Sequence, residues 1–238
     1  MIKEQYVCLV CGFNMVGFYP ETCPFCGAPK ERFITAAQCS ARFKVVATRV
    51  NERVIRLNSQ PALGYEHAAY RIETGQGAMW IDCTSCFDAS LPPVEAILFT
   101  HHHFLGASTL YREAFAAKVH IHQADARHPI CRPFCFDDLF AHHFVHHGIE
   151  AFPINGHTPG FTFYIFEQTL FICDYFFFEG TGMKLNPFGP ADRTLAGSHH
   201  LRELLDGCTL STVCGYNYVM DYPEWRRRFD AGPVFGGF

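Results

Sequence analysis

The alternation of apolar and polar residues is the first regular pattern in the chain, and it begins after residue 43. Along Lys44–Val50 the side chains alternate with a period of two, which is typical of a β-strand with one buried face. Similar alternation, or a short apolar run, predicts further strands at Arg53–Leu57, His67–Glu73, Ala78–Asp82, Val94–Phe99, Lys118–His122, Phe161–Phe166, Thr169–Cys173 and Leu210–Cys214. Helices are predicted at Leu110–Ala117, Asp137–His147 and His199–Leu205. Strands in two groups with helices between them predict an α/β fold in which two packed sheets carry helices on their outer faces.

The N-terminal segment has a different pattern, because four cysteines dominate it. Cys8 and Cys11 are separated by two residues, as are Cys23 and Cys26, and a glycine follows each pair. Each pair can place two thiolates on one edge of a metal ion, so the two pairs predict a tetrahedral zinc or iron site. A segment this short cannot fold on a hydrophobic core alone, and the bound metal would stabilise it. We therefore predict a four-cysteine module over residues 1–38 and a large domain over residues 39–238, with a linker at Ala36–Arg42.

Two motifs in this module, at residues 6 to 33, identify it more closely. They are Tyr6-x-Cys8-x-x-Cys11-Gly12 and Cys23-Pro24-x-Cys26-Gly27-Ala28-x-Lys30-x-x-Phe33. Together they resemble the rubredoxin-type module of rubrerythrins. The resemblance implies one iron ion held by four cysteine thiolates and the transfer of single electrons. Zinc ribbons have the same ligands, so zinc remains the alternative metal, although the second motif favours iron.

The composition excludes several classes of protein. Of 238 residues, 49% are hydrophobic and 18% are charged, which supports a packed core rather than disorder. The net charge of −4 argues against binding of nucleic acid through bulk charge. No apolar run reaches the roughly 18 residues of a membrane span, and the first residues lack the apolar core of a signal peptide. We therefore expect a cytoplasmic protein without nucleic-acid or membrane partners, whose 12 cysteines are metal ligands or reduced thiols.

Histidine and aspartate residues stand where predicted strands end. They are His101 and His103 after Val94–Phe99, His157 in the loop before Phe161–Phe166, Asp174 after Thr169–Cys173, and Asp82 at the end of Ala78–Asp82. His101 and His103 are two positions apart, so a turn can direct both imidazoles toward one metal. Asp82 is predicted to be a buried carboxylate that orients the site.

These residues belong to motifs that characterise the large domain. The motifs are Trp80-Ile81-Asp82, Thr100-His101-x-His103, Gly156-His157-Thr158-Pro159-Gly160 and Asp174. In this order they resemble the metallo-β-lactamase superfamily over roughly residues 44 to 220. The resemblance implies a four-layer αβ/βα sandwich with metal at the rim between the sheets. It also implies that His101, His103 and His157 bind the first metal and that Asp174 is the shared carboxylate.

The chain departs from the superfamily at the ligands of a second metal. Leu105, Gly106 and Tyr216 occupy the positions at which the superfamily has an aspartate and two histidines. Because leucine cannot bind a dication, binuclear hydrolysis is not expected. The remaining ligands predict one Fe, Zn or Mn ion in the large domain. Asp82, Asp174 and Tyr216 are the candidate catalytic residues.

Three functions are compatible with these features. The frequency of hydrolases in the superfamily favours a mononuclear metal-dependent hydrolase of an unknown small-molecule substrate, in which the metal activates a water or polarises a carbonyl. The superfamily also contains iron dioxygenases and diiron reductases. The pairing of modules therefore favours a non-haem iron oxidoreductase, dioxygenase-like or reductase-like, supplied with electrons by the rubredoxin-type iron and a redox partner protein. The third function is non-catalytic binding. The substrate is unknown, and a homo-oligomer is compatible with the sequence.

Overall fold

Residues 3–180 and 182–235 are described by a computed structural model. These residues contain four β-sheets and five α-helices. The N-terminal sheet contains β1 Gln5–Cys8, β2 Asn14–Val16 and β3 Phe33–Thr35. The first large sheet contains β4 Lys44–Arg49, β5 Val54–Gln60, β6 Ala69–Glu73, β7 Ala78–Ile81, β8 Ala96–Leu98, β9 Lys118–His122 and β10 Asp138–Phe140. The second large sheet contains β11 Phe144–His146, β12 Ile149–Pro153, β13 Thr162–Phe166, β14 Thr169–Cys173, β17 Thr212–Gly215 and β18 Val219–Asp221. The small fourth sheet contains β15 Phe176–Glu179, β16 Gly182–Leu185 and β19 Val234–Phe235.

The helices lie between these strands along the chain. They are α1 Ala36–Arg42, α2 Ser108–Phe115, α3 Gln123–Ala126, α4 Ala191–Leu205 and α5 Tyr222–Asp230. Among the described residues, no helix has both the length and the apolar character that a membrane span requires.

Apolar side chains fill the space between the two large sheets and cover their outer faces. Between the sheets, the ring of Tyr70 from β6 packs on Phe171 from β14, with 5.4 Å between the ring centroids. On the outer face of the first sheet, Trp80 packs on Tyr111 of α2. On the outer face of the second sheet, α5 buries Trp225. The predicted α/β class, with two packed sheets and helices outside them, is confirmed.

The strand order brings the predicted site residues to one rim of the sandwich. In the first sheet β7, β8 and β9 are parallel neighbours, and in the second sheet β14 and β17 are parallel neighbours. Asp82 follows β7, His101 follows β8, Asp174 follows β14 and Tyr216 follows β17. The carboxyl ends of parallel strands are the usual place for ligand sites in α/β sheets, because parallel neighbours end at the same edge.

The predicted linker at residues 36–42 is wrong, because these residues form α1. The hydroxyl of Thr35 accepts a hydrogen bond from the Gln38 backbone N–H at 3.1 Å, and the Gln38 side chain accepts one from the Thr35 N–H at 2.9 Å. This reciprocal pair is a capping box, which satisfies two amides at the start of the helix. Cys39 is buried in a cluster with Phe43 and Leu63, so α1 packs on the large domain. The predicted boundary between residues 38 and 39 therefore falls inside a helix.

The predicted helix at Asp137–His147 is also wrong, because the segment forms β10 and β11. β10 pairs in parallel with β9, and β11 pairs antiparallel with β12. His147 and Gly148 have φ angles of 48° and 81°, and this tight left-handed turn joins β11 to β12. Histidines four residues apart in this segment match the period of an α-helix. The segment nevertheless forms strands, because it pairs with β9 and β12. The helix predicted at His199–Leu205 is the second half of α4.

The four-cysteine module packs directly on the large domain. The Asn14 side-chain amide donates a hydrogen bond to the Ser85 carbonyl oxygen at 3.2 Å. Gly64, with a φ of 58°, approaches the first cysteine pair so closely that a Cβ atom on it would collide with the Val10 carbonyl. The first cysteine turn and the large domain therefore share a tight backbone interface.

Candidate metal centres

The four predicted cysteine ligands converge on one point in the N-terminal module. Their sulfur atoms all lie within 4.8 Å of one another. Cys8 Sγ lies 3.8 Å from Cys26 Sγ, and Cys11 Sγ lies 3.7 Å from Cys23 Sγ. Two ligands of a tetrahedral metal with sulfur bonds of about 2.3 Å lie about 3.8 Å apart. The geometry therefore fits a metal ion bound by four thiolates.

Both cysteine pairs are shaped by the same glycine turn. The Gly12 N–H donates to the Cys8 carbonyl oxygen at 2.8 Å, and the Gly27 N–H donates to the Cys23 carbonyl oxygen at 2.9 Å. The φ angles of these glycines are 82° and 72°, a region that residues with a Cβ atom rarely adopt. The glycine after each pair is therefore a requirement of the turn that presents the thiolates.

The predicted histidine and aspartate ligands converge on a second point at the rim. One atom from each of His101, His103, His157 and Asp174 lies within 4.8 Å of the others. His103 Nδ1 is 2.9 Å from His157 Nε2, and His101 Nε2 is 3.4 Å from Asp174 Oδ1. Within the part of the chain that the structure describes, His101 Nε2 and Asp174 Oδ1 are buried without a hydrogen-bond partner. Buried polar atoms are normally satisfied, so these two orphan atoms fit a cation bound between them.

Burial lowers the pKa values of the three histidines in this cluster, which favours the neutral form that binds metals. Removal from water lowers the pKa of His103 to about 3 and holds the pKa values of His101 and His157 well below the usual range. The imidazoles are therefore neutral, which is the form that binds metals. Removal from water, with a contribution from the charge of Asp82, raises the pKa of Asp174 to about 8. A bound cation would supply the positive charge that keeps this carboxylate ionised.

Thr100 links Asp82 to His101. The Thr100 hydroxyl lies 2.9 Å from Asp82 Oδ2 and 3.0 Å from His101 Nδ1. A hydroxyl that donates to the carboxylate can accept the Nδ1–H of the imidazole, which leaves Nε2 of His101 free for a metal. Burial raises the pKa of Asp82 to about 6. Asp82 is therefore connected to His101 through a hydroxyl, whereas Asp174 lies among the candidate ligands themselves.

Asp125 is a buried carboxylate beside the candidate site that the sequence interpretation missed. Its fully buried carboxylate accepts hydrogen bonds from the His102 N–H, the Thr158 hydroxyl and the Gly160 N–H, at 3.1, 2.8 and 2.8 Å. The carboxylate thus ties the loop that carries His101 and His103 to the loop that carries His157. The signal was available, because Asp125 follows the end of β9 as the other site residues follow their strands.

Asn186 and His67 are two further site residues outside the predicted set. The Asn186 side-chain amide donates to Asp174 Oδ2 at 2.9 Å and lies 3.2 Å from His157 Nε2. His67 lies near the same carboxylate oxygen, with its Nε2 atom 3.5 Å from Asp174 Oδ2. Neither residue belongs to a recognisable motif, and chain folding alone brings them to the site.

Leu105, Gly106 and Tyr216, which replace the second-metal ligands of the superfamily, lie in three different surroundings. Leu105 is buried in the core on the outer side of the first sheet. A Cβ atom on Gly106 would meet the backbone of Cys83 and Thr84, so this position has no space for a ligand side chain. Tyr216 is half-buried, and its ring centroid lies 5.5 Å from that of His67. The catalytic role assigned to Tyr216 stays a prediction.

Phe25 connects the two candidate metal centres. It stands between Cys23 and Cys26 in the second cysteine turn. Its ring centroid lies 5.8 Å from that of His103 and 4.7 Å from that of Phe104. A single aromatic ring therefore separates a turn that carries two thiolate ligands from a histidine ligand of the second centre.

Comparisons with known proteins concern both parts of the chain. The family model of the rubrerythrin rubredoxin-like domain matches residues 6–34. Among solved structures, a metallo-β-lactamase from Pontibacter korlensis is 15% identical with a TM-score of 0.62, over 79% of this chain and 99% of that one. FIM-1 from Pseudomonas aeruginosa, in its mono-zinc form, is 14% identical with a TM-score of 0.62, over 79% and 95%. TTHA1623, in a di-iron-bound form, is 22% identical with a TM-score of 0.54, over 68% and 93%. The comparison with curated proteins returned no match.

These findings confirm the two-part organisation. The N-terminal residues form a rubredoxin-like module with a four-cysteine cluster. The large domain has the metallo-β-lactamase fold and carries a cluster of histidine and aspartate ligands at its rim.

Proposed function

We propose that the protein is a non-haem iron redox protein whose four-cysteine centre passes single electrons to the metal centre of the large domain. One observation carries this proposal, namely the contact between Phe25 and His103. Iron bound by four thiolates would supply one-electron transfer, taking one electron from an external donor protein and giving one electron to iron at the second centre.

The residues around Phe25 support this proposal because they fix the two centres relative to each other. Phe25 lies between Phe13 of its own module and Phe104 of the large domain, at ring centroid distances of 6.1 and 4.7 Å. The hydrogen bond from the Asn14 side chain to the Ser85 carbonyl oxygen also joins the module to the backbone of the large domain. A fixed aromatic contact of this kind favours electron transfer within one chain, without a docking step between separate proteins.

A mononuclear hydrolase is the second candidate function. The convergence of His101, His103, His157 and Asp174 on one point favours it, as does the fold shared with the mono-zinc form of FIM-1. A single metal there would lower the pKa of a bound water or polarise a carbonyl. Neither hydrolysis nor binding without catalysis, however, gives a role to the contact between Phe25 of the second cysteine turn and His103. For this reason we favour the redox function.

Metal analysis with a visible spectrum tests the choice between these functions. The full chain is purified without a tag from iron-replete cells, and its absorption is followed during a reductive titration. We expect iron in the four-cysteine centre and a red oxidised form that about one electron bleaches. Cys23→Ser abolishes this colour, whereas Cys208→Ser, a thiol outside both clusters, retains it. Zinc in both centres contradicts the redox proposal and supports a hydrolase.

A further inference from the structure

His67 is a buried histidine to which the two centres described above give no role. It lies in the loop between β5 and β6 and is 5% exposed. Its Nδ1 atom lies 3.3 Å from Cys173 Sγ, and its Nε2 atom lies 3.5 Å from Asp174 Oδ2. One ligand atom from each of His67, Cys173 and Asp174 lies within 4.8 Å of the other two. With one nitrogen of the imidazole, a thiol sulfur and a carboxylate oxygen this close, the three side chains can serve as ligands of one metal ion.

We propose that His67, Cys173 and Asp174 bind a second metal ion in the large domain. The neighbour of this ion is the metal of the three-histidine centre, and Asp174 is shared between the two. Its Oδ1 atom lies 3.4 Å from His101 Nε2, and its Oδ2 atom lies 3.5 Å from His67 Nε2 and 3.6 Å from His157 Nε2. A carboxylate that lies between the histidines of both centres suits a metal pair separated by about 3.5–4 Å.

The distance between His67 and Asp174 fits coordination better than a hydrogen bond. Hydrogen bonds from N–H to oxygen span about 2.7–3.2 Å, and the observed separation is 3.5 Å. Two ligands of a tetrahedral metal with bonds of about 2.1 Å lie about 3.4 Å apart. The two side chains are therefore placed as neighbouring ligands of one ion.

Backbone hydrogen bonds place His67 beside Tyr216, one of the positions at which this chain lacks a second-metal ligand of the superfamily. The Ala68 N–H donates to the Tyr216 carbonyl oxygen at 2.7 Å, and the Tyr216 N–H donates to the Cys173 carbonyl oxygen at 2.9 Å. These two bonds set the loop of His67 beside the end of β17 and next to Cys173. Gly106 has no space for a side chain. A nitrogen ligand thus comes from the β5–β6 loop, which no motif of the sequence marks.

The ligand types indicate the class of metal. Thiolate and imidazole select zinc or ferrous iron over magnesium and calcium, which prefer oxygen ligands alone. Cys173 is 3% exposed and loses its proton when the ion binds. The sequence predicts one metal in the large domain, and His67 raises that number to two.

A titration with Zn(II) tests this proposal on the full chain. The protein is stripped with a chelator under reducing conditions, and bound zinc is counted against a chromogenic competitor. Wild-type protein is expected to bind about three equivalents, one in the four-cysteine centre and two in the large domain. His67→Ala and Cys173→Ser are each expected to lose about one of these equivalents. The control His200→Ala removes an exposed histidine of α4 and keeps all three.

Two results would overturn the proposal. One is wild-type protein that binds about two equivalents in total, and the other is an unchanged count in both His67→Ala and Cys173→Ser. Circular dichroism identifies a variant that fails to fold. In that case X-ray absorption of the zinc-loaded wild type tests the metal pair directly. A zinc neighbour at about 3.5–4 Å supports the proposal, and its absence contradicts it. The number of bound zinc ions does not depend on electron transfer. A negative result for this proposal therefore leaves the redox function untouched, and the reverse also holds.

Discussion

Thr100 is the residue through which a buried carboxylate orients the first histidine ligand. Thr100→Val keeps the shape of the side chain but removes its bonds to Asp82 and His101. Loss of such a supporting bond weakens metal binding by about 10–100-fold, and we expect this loss in the large domain alone. A competition titration measures it, with Thr48→Val on the exposed face of β4 as the control. Equal metal affinity in wild type and Thr100→Val contradicts the positioning role.

Asp125 holds two ligand loops together, and its replacement tests whether this bond network matters for folding. Asp125→Asn places an amide against donors from His102, Thr158 and Gly160, so at least one donor loses its acceptor. An unsatisfied buried donor costs about 1–3 kcal/mol, and the free energy of unfolding in urea is expected to fall by this amount. Glu113→Gln, at an exposed position on α2, is expected to leave the stability unchanged. Equal stability of the two variants would contradict the account.

The sequence was sufficient to predict the side chains that converge at the two candidate metal centres, but not the residues that surround them. His101, His103 and the four cysteines have short, regular spacings, because one turn presents each pair of ligands. Asp125, Asn186 and His67 act through contacts with residues far away in the chain. Such contacts depend on how the two sheets pack, and a single sequence does not reveal them.

Gly64 sits at the interface between two structural elements, the first cysteine turn and the loop before β6. Gly64→Ala adds a Cβ atom that collides with the Val10 carbonyl, so the module is expected to shift from the large domain. Gly75→Ala is a matched control, because Gly75 also has a positive φ, of 69°, but open space around its Cβ position. Both variants lose about 1–2 kcal/mol to the backbone conformation, and thermal unfolding should show a further loss only for Gly64→Ala. Equal melting temperatures would contradict the tight interface.

Elements were predicted well where the hydrophobic pattern agreed with tertiary packing. Central strands such as Thr169–Cys173 are buried on both faces and were found with the expected bounds. The segment Asp137–His147 was misassigned because its short edge strands depend on pairing with β9 and β12. The helix α1 was missed although Thr35 and Gln38 have the spacing of a capping box.

The whole molecule joins a small module built around four cysteines to a larger domain that has its own core. Cys23→Ser removes one of four thiolates, so the metal no longer stabilises the N-terminal sheet. Limited proteolysis is expected to cleave the variant within residues 3–35 first, while residues 44–230 stay protected. Mass spectrometry of the fragments checks this pattern against wild type and Cys208→Ser. Equal resistance of all three proteins would show that the module folds without its metal.

The sequence indicated two modules but not their contact. Composition and motifs divide the chain near residue 38, and the resemblance of each part was confirmed by the comparisons. The contact of Phe25 with His103 joins residues that are far apart in the sequence and belong to different modules. Only the packing of one module on the other reveals it, and the redox proposal depends on it.

The central claim is that an electron placed on the four-cysteine centre reaches the histidine centre within one molecule. Flash reduction of the fully oxidised, iron-loaded chain tests it through the visible absorption of the four-cysteine iron. The account predicts a fast bleach followed by recovery at a rate independent of protein concentration. Recovery is expected to be slower in Phe25→Leu and absent in His101→Ala. A bleach that persists in wild type, or that recovers only in proportion to protein concentration, would contradict the account.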